Sequence, residues 1–81
     1  MSTKIQRLRD WANPVGSRKV LRSLEIEARD GAVAGLTLYS VAAFQSDGGV
    51  RIAATCESHP NLEIACGIVI DRLTDADLFV P

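Results

Sequence analysis

Residues Val20 to Cys56 read VLRSLEIEARDGAVAGLTLYSVAAFQSDGGVRIAATC, three runs of alternating character separated by two glycine-containing breaks. Successive side chains of a strand point to opposite faces, so a period of two is the signature of a half-buried strand. In the first run Ser23, Glu25, Glu27 and Arg29 alternate with Leu24, Ile26 and Ala28, with Arg22 breaking the pattern. Leu36, Leu38, Ser40, Ala42 and Phe44 form the even set of the second run, and Val50, Ile52, Ala54 and Cys56 that of the third.

That common parity predicts a meander with its even face toward the core. A one-residue slip would invert a strand, so even must pair with even across loops of odd length. Ser46-Asp47-Gly48 suits a three-residue hairpin that sets Phe44 against Val50 and Ala42 against Ile52. For the first connection, a loop over about Asp30 to Ala34 sets Ile26 against Leu38 and Ala28 against Leu36.

Helices are expected on either side. Residues 1–12 carry Thr3 as a cap with Gln6 three residues on, an apolar stripe of Ile5, Leu8 and Trp11 or Ala12, and a stop at Asn13-Pro14. Residues 60–74 place Leu62, Ala65, Cys66, Val69 and Leu73 on one helical face, although Leu62, Ile64, Cys66, Ile68 and Ile70 also alternate as a fourth strand would. The helix is preferred because a three-stranded sheet needs a cover. The expected architecture is therefore a single α+β domain, α-β-β-β-α, with strands at 19–29, 36–45 and 49–56, a C-terminal helix packed on one sheet face, and a tail at 75–81.

A chain of 81 residues forms one small core at most, so self-association as a homodimer is an expected aid to stability. It contains no run of eighteen apolar residues and no secretory leader pattern, which predicts no membrane partner and a cytoplasmic location. Its two cysteines fit reduced thiols. Net charge is −1, divided unevenly: +4 over residues 1–29 and −5 over residues 30–81.

Chemistry is sparse in the sequence. Cys56, His59 and Cys66, with Glu57 and Glu63 near them, lack the Cys-x-x-Cys or His-x-x-x-His pairs of a zinc site, and both thiols fall on apolar stripes. No phosphate-binding glycine loop occurs, and no spacing selects a nucleophile with its base. The expectation is a protein without catalytic residues, metal or cofactor.

What remains is binding. With the even face packed, the opposite face would show Thr37, Tyr39, Val41 and Ala43, with Ala53 and Thr55 beside them, a surface poor in charge. Thr37, Tyr39, Val41, Ala43 and Thr55 are therefore the candidate protein-binding residues of a small module, an inhibitor or adaptor of a partner the sequence does not name. In size and element order the chain is similar to small phage and mobile-element α+β proteins that block host proteins, a likeness carried by no motif. The alternative is a nucleic-acid-binding accessory protein using Lys4, Arg7, Arg9, Trp11, Arg18, Lys19 and Arg22, in which Trp11 would stack on a base.

Overall fold

The computed structural model describes residues 3–12, 21–46 and 50–79. Helix α1 (Lys4–Ala12) is followed by strands β1 (Leu21–Asp30), β2 (Thr37–Ser46) and β3 (Val50–His59), and by helix α2 (Leu62–Asp75). The three antiparallel strands form one sheet in the order β1-β2-β3. The α-β-β-β-α order is thus the one expected, and residues 62–75 are helical, not a fourth strand. The Asp47–Gly49 loop and the ends of the chain lie outside the described residues.

Local chemistry accounts for both helices. The Thr3 hydroxyl accepts from the Gln6 amide at 3.1 Å, closing the first turn of α1. Asn61 caps α2 by accepting from the Ile64 amide at 3.0 Å, so the helix begins two residues after Pro60. Gly67 lies in the middle of α2, where the Lys4 side chain crosses so closely that an added Cβ would sit 3.0 Å from its Cδ. Glycine there leaves room for the Lys4 side chain to lie across α2.

Both helices cover the same sheet face. Leu8 and Trp11 of α1, Val41 and Ala43 of β2, Ala54 and Cys56 of β3, and Ala65, Cys66, Val69, Ile70 and Leu73 of α2 form one buried cluster, closed by Phe79. Helix α1 packs on β1 and α2, while α2 lies over β3 and β2. Leu8, Val41, Val69 and Leu73 are fully buried, each burial favouring the fold by roughly 1.5–3 kcal/mol.

This core reverses the expected face of the central strand. Val41, Ala43 and Gln45 are buried beneath the helices, while the even residues Leu38, Ser40, Ala42 and Phe44 turn the other way. The turn is responsible. The first loop spans six residues, Gly31 to Leu36, and β1 pairs with β2 as Ile26↔Val41 and Ala28↔Tyr39, in place of Ile26 with Leu38 and Ala28 with Leu36. An even loop joins even positions of one strand to odd positions of the next.

The loop has its own reason for that length. The Leu36 amide donates to the Val33 carbonyl at 3.1 Å, and Gly31 donates to the Leu36 carbonyl at 2.8 Å. Gly35, at φ +83°, supplies the left-handed residue this turn requires.

At the second hairpin the pairing is Phe44↔Ile52 and Ser46↔Val50, shifted by two residues from Phe44 with Val50 and Ala42 with Ile52. Even still meets even beside the turn. A bulge then takes up Ala53, so that Ala43 faces Ala54 and Val41 faces Cys56. Past the bulge Ala54 and Cys56 lie on the core side, and Cys56 is buried as its parity implied. A second irregularity, between Val41↔Cys56 and Tyr39↔His59, holds Ser58 at φ +55°.

The tail docks on this core. Asp77, at φ +59°, turns the chain after α2, the Leu78 amide bonds to the Leu73 carbonyl at 2.8 Å, and Phe79 is buried.

Two substitutions test this account by urea unfolding. Leu73→Ala is expected to destabilise by about 2–5 kcal/mol, since the enclosed site cannot collapse around the lost atoms. Gly35→Ala is expected to cost about 1–2 kcal/mol through its left-handed backbone, although nothing lies within 4 Å of the new methyl group.

Candidate interaction surface

One sheet face is left without a covering element among the described residues. Its centre is β2, which presents Leu38, Ser40, Ala42 and Phe44, all half-buried by their neighbours. Register places Ser23 beside Phe44, Glu25 beside Ala42, Glu27 beside Ser40 and Arg29 beside Leu38 on the β1 side. On the β3 side Thr55 lies beside Ala42. The central strand thus carries no charge on this face, and its charged residues stand along the rims.

Polar contacts hold one end of the face in shape. The Arg29 guanidinium reaches across β2 to the Ser58 hydroxyl, and the Ser58 amide donates to Ser40 Oγ at 3.3 Å. The Thr55 hydroxyl donates to the Val41 carbonyl at 3.2 Å, and the Arg72 guanidinium to the Thr55 carbonyl. These bonds tie β3 to its neighbours where the bulges have loosened the ladder.

The residues singled out from sequence are divided by the reversed parity. Val41 and Ala43 are fully buried under the helices and so leave the candidate surface. Thr37 and Tyr39 belong to the same, helix-side face and are half-buried. Thr55 stays on the uncovered face because the Ala53 bulge moved it there. The residues that replace Val41 and Ala43 at the centre of the open face are Ala42 and Phe44. Their signal was the same alternating run, read with the opposite parity.

Part of the basic N-terminal third is committed internally. Trp11 is buried and donates through Nε1 to the Leu78 carbonyl at 2.8 Å. The Arg22 guanidinium lies over the Trp11 ring, 4.7 Å from its centroid, and that of Arg7 over Phe79 at 5.4 Å. Arg22 also donates to Gln45 at 3.1 Å. Lys4 lies along Gly67, and Arg9 is exposed. Arg18 and Lys19 lie outside the described residues. The arrangement uses Trp11 as core and leaves no base-stacking platform at that position.

The thiols are equally enclosed. Cys56 and Cys66 are free and buried. Burial pushes the Cys66 thiol up from its ordinary pKa, with Glu63 and Cys56 adding to the shift and Arg9 opposing it. His59 binds locally, its Nδ1 accepting from the Asn61 amide at 3.0 Å. Among the described residues no group of three or more His, Cys, Asp or Glu side chains is placed to hold a metal ion.

Comparison of the chain with protein families, with curated proteins and with solved structures finds no match. Among the described residues, no helix is long and apolar enough to cross a membrane.

Thiol labelling checks the enclosed chemistry. Neither Cys56 nor Cys66 is expected to react with a bulky disulfide reagent near neutral pH, and both are expected to react in urea. Raised thiol pKa also means less thiolate, so the slow labelling of Cys66 that follows transient opening of the core is expected to quicken as the pH climbs past the ordinary thiol range. Prompt labelling of the native protein would place a thiol at the surface.

Proposed function

We propose that this chain is a small non-catalytic protein-binding module, an inhibitor or adaptor, that docks through the uncovered face of its sheet. The observation that carries the reading is the one-sided cover. Both helices are spent on one face, and the other presents Leu38, Ser40, Ala42 and Phe44 with no charge along the central strand. Half-exposed apolar side chains gathered on one flat face are what a partner covers.

The free thiols are buried in the core, and the described aromatic residues nearest to cations are engaged within the molecule. Two buried reduced cysteines suit a cytoplasmic setting. Self-association is the competing outcome, and light scattering on the purified protein reads that state directly.

The test uses Phe44→Asp and Ala42→Arg, which alter the open face without touching the core. Each is expected to abolish association with the protein's partner, in affinity capture or in self-association, while far-UV circular dichroism stays unchanged. Association unaffected by either substitution would remove this face as the docking surface. Val41→Asp is the contrasting variant and is expected to unfold the protein, because it buries a charge without a partner.

A further inference from the structure

We infer that the open face receives an amphipathic helix of another protein, one that carries lysine or arginine along one flank of its apolar stripe; this rests on the protein-binding reading above. Charge is the first argument. Glu25 and Glu27 are exposed on the β1 side of the face, beside Ala42 and Ser40, and Glu57 is exposed on β3. The described cation on the face is Arg29, which keeps its charge but is drawn across β2 to the Ser58 hydroxyl beside Leu38, at the end of the strip away from Ala42. The centre of the β2 strip is therefore bordered on its β1 side by two carboxylates, which favour a cationic ligand and disfavour nucleic acid.

Area is the second. Strands of ten residues at about 3.3 Å per residue, three abreast at about 4.8 Å, make a face roughly 33 Å by 14 Å, on the order of 450 Å². A stable contact between two globular surfaces needs about 800 Å² from each. The face is too small for that by itself and is the size of a helix about 10 Å across and several turns long.

Layering is the third argument. Extended peptides add to sheet edges, whereas helices cover sheet faces, so a helix here would complete a helix–sheet–helix sandwich. Spacing agrees as well: Glu25 and Glu27 lie about 6.6 Å apart along β1, and cations at positions i and i+4 of a helix lie about 6 Å apart. The ligand's apolar stripe would rest on Leu38, Ala42 and Phe44 while its cations meet the two carboxylates.

The experiment is an amide-resonance titration of the full chain with three synthetic helical peptides. They share one Leu/Ala stripe and carry Lys, Ser or Glu at the flanking positions. The Lys peptide is expected to bind, with shifts confined to the amides of residues 23–29 and 38–44, and the Glu peptide is not. Reversal of both carboxylates in the Glu25→Lys/Glu27→Lys variant should weaken the Lys peptide by about tenfold, since two surface attractions become repulsions.

Equal affinity for the Lys and Ser peptides at this face would overturn the cationic requirement and leave the docking surface standing. Shifts on α1 or α2, or broadening of the same amides by self-association without any peptide, would overturn the inference outright. Failure of all three peptides, together with capture unchanged by Phe44→Asp, would bring down the protein-binding reading as well.

Discussion

A three-stranded sheet has two faces, and a chain of this length has helix enough to dry one of them. The burial of Val41 and Ala43 beneath α2, flanked by Leu8 and Trp11 from α1, settles which face that is. Everything else follows from that choice, because a strand cannot turn one residue inward without turning its neighbours outward. Packing the odd residues of β2 commits Leu38, Ser40, Ala42 and Phe44 to the opposite side. The candidate interaction surface is thus the complement of the core.

The first turn and the Ala53 bulge together make this choice consistent across the sheet. Without the six-residue loop, β1 and β2 would meet even to even; without the bulge, β3 would turn Cys56 and Ala54 away from Val41 and Ala43. Each device shifts parity by one, so the apolar sides of the strands coincide for most of their length. Towards the first turn the helical cover ends, and Ile26 and Leu36 are left partly exposed.

The N-terminal third shows how local charge can be absorbed by a fold. A cluster of basic residues beside a tryptophan resembles a nucleic-acid contact when it is read along the chain. In space Arg22 and Arg7 lie over Trp11 and Phe79, capping the open side of the core with their guanidinium planes. Long cationic side chains cover apolar surface well because their stems are hydrocarbon and their planar ends stack on rings. These two arginines therefore join the tail and α1 to the body of the protein, and the acidic rim lies on the opposite side of the sheet.

Sequence alone determined α1 and the three strands and their order, since periodicity, Asn13-Pro14, the Thr3 cap and the glycine breaks are local signals that act within a few residues, whereas residues 60–74 fitted helix and strand alike and only the need to cover the sheet favoured the helix. It gave most of the buried stripe of each helix too, Leu8 and Trp11 in α1 and Ala65, Cys66, Val69 and Leu73 in α2, while the burial of Ile70 came from the packing. Tertiary structure alone decided the face of the sheet. Along β2 the odd set Tyr39, Val41 and Ala43 and the even set Leu38, Ala42 and Phe44 are almost equally apolar, so alternation established a strand without saying which side was inward. A left-handed Gly35 and one bulged alanine broke that tie, and both express the pairing of whole strands. Register is a property of two strands and a turn together, so no reading of a single run could supply it.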